Sequence, residues 1–258
     1  MSGWSRFAFS VLMLALTGLC LGLGVWQVQR LAEKEALIAI VASSMQADPV
    51  DLPPSSDWPS LDCFYPGNDR STCVPFGFNY RPMRVTGHFV PRHTVMVFTS
   101  LGDAKGQRSG PGYWVLTAFA LDSGGTVFVN RGFIPQDDRL DFVNGQGVDE
   151  QPQVLTGIAR LPETAGSFTP AANLEDRIDY VRDPQRLALL TAPDLAPFAP
   201  VTIDLPAGPP GTLPQGGETV VEFPNNHLGY AITWFGFALI APILLVFWLR
   251  RTRRPRPS

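Results

Sequence analysis

Hydrophobic and polar positions divide this chain into three parts. From Phe7 to Gln29 no residue is charged, and the run is apolar as far as Trp26; from Tyr230 to Leu249 there is again no charge. Each run is about 20 residues long, enough at about 1.5 Å rise per residue to cross the roughly 30 Å of bilayer hydrocarbon. Lipid satisfies no open backbone, so both runs are expected to be transmembrane helices, at residues 7–26 and 230–249. Arg30 to Met45 continues helically, and Pro49, Pro53, Pro54 and Pro59 end it. Residues 48–80 read as a loop-rich connection.

Beyond that connection the pattern is β-like. Met83–Val90, Val95–Thr99, Tyr113–Leu121, Thr126–Asn130, Gln153–Ala159 and Val201–Leu205 are rich in β-branched and aromatic residues between turn signals. Asp122-Ser123-Gly124-Gly125 predicts a hairpin loop. Asp183-Pro184 predicts the start of a helix of about eight residues, with Pro at its first position. The expected fold is a membrane protein with an N-terminal and a C-terminal transmembrane helix. Between them lies a β-rich α+β domain, an antiparallel barrel or sandwich, at residues 27–229.

Charge orients the scheme. Six of the 20 Lys+Arg are Arg6, Arg250, Arg251, Arg253, Arg254 and Arg256, so 14 remain between the spans against all 23 Asp+Glu, a balance of −9. By the positive-inside tendency, residues 1–6 and the Arg-rich tail 250–258 lie in the cytoplasm. The acidic domain then lies outside, and its charge argues against a nucleic-acid partner. Arg6 and Gly22-Leu23-Gly24 admit a cleaved signal peptide, but the apolar run is long for one and continues as helix. Leu19 makes Cys20 a poor lipid-attachment site. With no Arg- and Ser-rich transit segment, a bacterial inner membrane is expected rather than a mitochondrial one.

Cys20 reads as a small apolar filler in the first span. Cys63 and Cys73 flank the turn Pro66-Gly67-Asn68-Asp69 outside the cytoplasm, and a local disulfide is the default there. A copper or redox thiol pair is the rival, with no neighbouring His or Met to complete a soft metal site.

Enzyme signatures are missing. The chain has no Gly-x-Ser-x-Gly elbow, no phosphate loop, no dinucleotide-binding glycine pattern and no His-Glu-x-x-His, and Ser109-Gly110-Pro111-Gly112 lacks the Lys that meets a phosphate. His88 and His93 read as exposed strand or turn positions rather than metal ligands. The chemistry gathers instead at the outer ends of the spans. Leu23, Trp26, Gln27, Arg30 and Lys34 fall on one helical face, as do His227, Tyr230 and Trp234. Gly18-x-x-x-Gly22 would allow close approach of a partner helix. An interfacial aromatic belt with snorkelling cations accounts for most of these residues. Asn225-Asn226-His227 exceeds what capping needs. An imidazole with nearby cations and aromatics also suits haem: an axial ligand, partners for propionates and an apolar wall.

Five segments carry a resemblance. Leu23-Gly24-Val25-Trp26-Gln27-Val28-Gln29-Arg30 with Lys34, and Asn225-Asn226-His227-Leu228-Gly229-Tyr230-Ala231-Ile232-Thr233-Trp234, resemble the surfeit locus protein 1 family of cytochrome c oxidase assembly factors. Arg84-Val85-Thr86-Gly87-His88-Phe89, Gly110-Pro111-Gly112-Tyr113-Trp114-Val115-Leu116-Thr117 and Val129-Asn130-Arg131-Gly132-Phe133-Ile134-Pro135 resemble further motifs of that family, in order. Ala118 and Phe133 depart from its usual Pro and Trp, and the Cys63–Cys73 loop is not a family feature.

The resemblance implies a non-enzymatic factor in the maturation of a haem-copper terminal oxidase, with haem a delivery or insertion as the favoured task. His227 would be the axial ligand to haem iron. Arg30 and Lys34 would meet the propionates, and Trp26, Gln27, Tyr230 and Trp234 would line the site. The implied partners are the oxidase catalytic subunit, other assembly factors and the lipid bilayer. A scaffold that binds oxidase subunits without haem is the alternative. Asn130 and Arg131 are expected in a buried ion pair or hydrogen bond, or in organising a docking surface.

Overall fold

In the computed structural model, residues 3–58, 78–191, 193–219, 223 and 225–253 are described. Cys63 and Cys73 lie outside the described residues. The chain forms two compact units, one from residues 1–40 and 221–258 and the other from residues 41–220.

The first unit is built from two helices, α1 (Gly3–Met45), whose last turns belong to the second unit, and the C-terminal helix (His227–Arg253). Both are long and apolar enough to cross a membrane. They touch at three levels. Phe9 and Trp248 pack with ring centroids 4.5 Å apart. Gly24 faces the Phe235 ring so closely that an added Cβ would lie 2.7 Å from it. Gln27 meets His227 through a hydrogen bond. The less exposed positions repeat along each helix at alternating steps of four and three: Met13, Thr17, Cys20, Gly24 and Gln27 on α1, and His227, Ala231, Trp234, Ala238, Ala241 and Leu245 on its partner. That 3.5-residue period is the seam of a left-handed helix pair.

The second unit is a mixed sheet with short helices. Its elements are β1 (Val50–Asp51), β2 (Pro82–Leu101), β3 (Gly110–Leu121), β4 (Thr126–Pro135), α2 (Arg139–Phe142), β5 (Gln153–Arg160), β6 (Ile178–Asp179), α3 (Pro184–Thr191) and β7 (Phe198–Asp204); the C-terminal helix is α4. The strands run in the order β1-β2-β3-β4-β7-β5, and β5 pairs again with β2, so the sheet closes on itself as a barrel. The barrel is not purely antiparallel, because β4 and β7 run parallel, as do β1–β2 and β2–β6.

Two expected strands are one. β2 runs through both, with its pairing to β3 interrupted between Val90 and Thr94. Its first half alternates, with Met83, Val85 and Phe89 buried and Arg84, Thr86 and His88 exposed. These apolar residues join Phe119, Val127, Val129, Ala199, Val201 and Ile203 in the barrel core. Its second half is buried on both faces: Val95 and Val97 pack under Leu187 and Leu190 of α3, while Met96 packs with Tyr113, Val115 and Ile134. Helix α3 starts where expected, and Asp183 caps it by accepting the Gln185 N–H at 2.9 Å. The hairpin at residues 122–125 also forms, closed by the Gly124 N–H donating to Leu121.

His93 departs from its expected exposure. It is 8% exposed, its Nδ1 meets the Thr191 carbonyl at 2.8 Å, and its Nε2 accepts from Arg92 at 2.9 Å. Nδ1 fastens the end of α3 and Nε2 is taken by the neighbouring arginine, so the residue is structural.

Candidate functional site

The site grows from the contact between the long helices at Gln27 and His227. α4 begins at His227, its first turn closed by the Tyr230 N–H donating to the Asn226 carbonyl. The imidazole therefore stands at the helix end, half-buried, where its edge faces α1. Gln27 is 8% exposed, one heptad along the seam from Cys20. His227 Nδ1 and Gln27 Oε1 are 2.7 Å apart. A carbonyl oxygen can only accept, so the imidazole carries its proton on Nδ1. In the neutral ring Nε2 is then left with its lone pair. Fixing one ring nitrogen by a hydrogen bond is how proteins set both the tautomer and the direction of a metal-binding imidazole.

The other sequence-predicted residues divide into two sets. Lys34 lies on the Gln27 stripe and Trp234 on the His227 stripe, both half-buried. Trp26 (49% exposed), Arg30 and Tyr230 (57% exposed) point away from the seam. Arg30 pairs with Glu33 at 2.6 Å, one turn along the same helix. That pair is exposed, and such pairs stabilise by only about 0–1 kcal/mol, so the guanidinium is readily exchanged to another anion. Lys34 forms no ion pair among the described residues. Asn225 Oδ1, beside the site, is buried with no hydrogen-bond partner among the described residues.

Two participants escaped the sequence reading. The close approach is at Gly24, against Phe235, and not at Gly18 or Gly22, which have open space around them. No polarity gradient marks the contacting face in a helix that is apolar all round, so the phase of the seam had no signal. Among the described residues no group of three His, Cys, Asp or Glu could hold a bare metal ion. Cys20 is a buried free thiol on the seam.

The β domain holds a second polar centre. Asp204, 3% exposed, accepts from Asn130, Arg182 and Thr219, each at 3.0 Å. Arg160 approaches it at 3.7 Å and stacks over the Tyr80 ring at 4.5 Å. Glu163 pairs with Arg182 at 3.3 Å. Burial, and after it the neighbouring Arg182, holds the Arg160 guanidinium below its ordinary value. Two cations and two anions balance, which makes this centre a structural fastener.

The chain thus joins a mixed barrel to two helices long and apolar enough to cross a membrane, with one imidazole oriented where those helices meet. A family model described as the SURF1 family matches residues 14–239. The chain belongs to the SURF1 family, a family of cytochrome oxidase assembly factors. It is 34% identical to surfeit locus protein 1 of Rattus norvegicus over 95% of this chain and 76% of the relative. It is 31% identical to the Homo sapiens protein of that name over 92% and 75%. It is 24% identical to a SURF1-like protein of the bacterium Rickettsia bellii over 84% and 80%.

Proposed function

We propose that this protein is a non-enzymatic assembly factor for a haem-copper cytochrome c oxidase. It takes up haem a at the outer membrane face and passes it to the nascent catalytic subunit. Haem is here the cargo. The observation that supports this reading is the Gln27–His227 hydrogen bond, which leaves Nε2 as a ready axial donor. Lys34, with no acid of its own among the described residues, and Arg30, with only an exposed partner, are suited to propionates.

The donor set fits the group. Phe235 already fills the space beside Gly24, so the macrocycle would lie against the helix pair rather than wedged deep between the helices. Trp26, Tyr230 and Trp234 would supply apolar cover at that outer surface. When bound, haem supplies the iron that His227 ligates. The protein's own part is to orient the imidazole, match the propionates and shield the ring from water. Placement in a bacterial inner membrane with both termini cytoplasmic is part of the proposal. It is supported by the Arg-rich tail, the acidic domain and the bacterial relative.

The test is the visible absorption spectrum of the protein purified from a host that makes haem a, beside a His227→Ala variant. A red-shifted haem a band that weakens strongly in the variant is the expected result. A colourless native protein that still restores oxidase assembly overturns the carrier role and leaves a scaffold for oxidase subunits.

A further inference from the structure

Arg131 breaks the charge pairing of the β domain. It is 8% exposed, yet among the described residues it makes no ion pair. One terminal nitrogen donates to the Gln146 carbonyl at 2.7 Å. The other is buried with no hydrogen-bond partner. A guanidinium removed from water without an acid is strongly disfavoured, and burial pushes its pKa down to about 10.

The backbone is shaped to hold it there. β3 and β4 pair at Leu116↔Asn130 and again at Trp114↔Phe133, so Arg131 and Gly132 together face Val115. An extra residue of this kind bends a strand and re-aims a side chain. Gly132 takes φ 133°, and its N–H donates to Asn130 Oδ1 at 3.1 Å. Asn130 is in turn held by Asp204. Arg131 reaches under the turn Asn144–Gly147, where Gly145 and Gly147 take φ 78° and 72°. The cover is thin, because Gln146 and Gly147 are themselves exposed.

One more arginine, Arg177, meets the same turn, and it also holds the backbone of Arg92. Arg177 donates to Asn144 Oδ1 at 3.0 Å and to the Arg92 carbonyl at 2.7 Å. Pro91, beside Arg92, packs against Gly145. The Arg92 side chain donates to His93. Among the described residues, none of Arg92, Arg131 and Arg177 pairs with a carboxylate. Carboxylates are not scarce, since acids outnumber bases between the long helices.

We propose that Arg92, Arg131 and Arg177, around the turn at residues 144–147, form a receptor for the oxyanion group of a small molecule, a carboxylate or a phosphate. Arg131 offers its unpartnered nitrogen from beneath, and Arg177 and Arg92 supply charge at the rim. The ligand enters by displacing Gln146 and Gly147. A planar guanidinium with one edge already fixed loses little freedom on binding, which suits it to this task. The inference stands apart from the haem reading.

The experiment is thermal unfolding of the full chain in detergent micelles at pH 7. Sodium phosphate and sodium acetate are compared with sodium chloride at matched ionic strength. At a hundredfold excess over the dissociation constant, a bound anion is expected to raise the midpoint by about 5 °C or more. A rise with phosphate alone assigns a phosphate ligand, and a rise with acetate assigns a carboxylate. Arg131→Met and Arg177→Gln should each abolish the rise, while Arg84→Gln, on an exposed pair elsewhere, should keep it. If Arg131→Met does not fold, Arg177→Gln decides alone. No rise beyond chloride, or a rise that survives Arg177→Gln, overturns the proposal.

Discussion

Gln27 and His227 are 200 residues apart in sequence and joined by a 2.7 Å hydrogen bond. The glutamine fixes which imidazole nitrogen carries the proton and which way the other points. Gln27→Leu is expected to leave the two helices in place and let the ring rotate. For haem a titrated into the purified protein and followed by absorbance, affinity should fall about 10- to 100-fold. Gln27→Glu keeps an acceptor at the same distance and should lose less. Equal affinity in the native and Gln27→Leu proteins would remove the glutamine from the site.

Gly24 admits Phe235, whereas Gly18 and Gly22 face open space. Gly24→Val should therefore push the helices apart and loosen the Gln27–His227 contact. Gly18→Val and Gly22→Val should leave it intact. Crosslinking between cysteines placed at positions 27 and 227 distinguishes the cases. A crosslink that survives Gly24→Val, or one lost in Gly18→Val, would contradict the observed seam.

Asp204 neutralises two buried arginines and accepts from Asn130 and Thr219. Asp204→Ala should destabilise the β domain by about 3–5 kcal/mol, because it leaves Arg160 and Arg182 in a dry interior with only the half-exposed Glu163 as an acid. Urea unfolding followed by Trp fluorescence measures this. A loss below about 1 kcal/mol would mean that water reaches the arginines readily.

Asp183 caps α3 with bonds to the Gln185 and Arg186 N–H groups. Burial nonetheless raises its pKa, and the cap bonds and Arg186 only partly oppose this. The folded state then holds the proton more tightly than the unfolded chain. Its contribution is greatest in acid and declines as pH rises from the ordinary aspartate value through the raised one. Asp183→Asn keeps a capping oxygen and should flatten that decline in unfolding measured against pH. Asp183→Ala loses the cap and should cost about 1 kcal/mol in acid and less as pH rises. An unchanged pH profile in Asp183→Asn would refute the sign.

Some of this was legible in the sequence. Length and absence of charge located both long helices, and Asp183-Pro184 located α3. Asp122 to Gly125 located a hairpin. These are local signals, each carried by a few adjacent residues. The seam was not legible beyond Gln27, Lys34, His227 and Trp234. Trp26, Arg30 and Tyr230 share a helical face with those residues on a wheel, but α1 turns Cys20, Gly24 and Gln27 inward. The parallel β4–β7 pairing was also hidden, since strand composition does not encode direction. The expected partner for Asn130 exists in Asp204, 74 residues away, while Arg131 has only the Gln146 carbonyl and, among the described residues, no acid. Only the folded sheet separates those two neighbours.

One long helix precedes the barrel in the chain and the other follows it. Until residue 227 has left the ribosome, Gln27 has no imidazole to meet, however completely the barrel has folded. A chain interrupted anywhere in the preceding 200 residues carries one long helix and lacks the Gln27–His227 contact. The contact that orients His227 therefore also reports that synthesis of the intervening domain is finished.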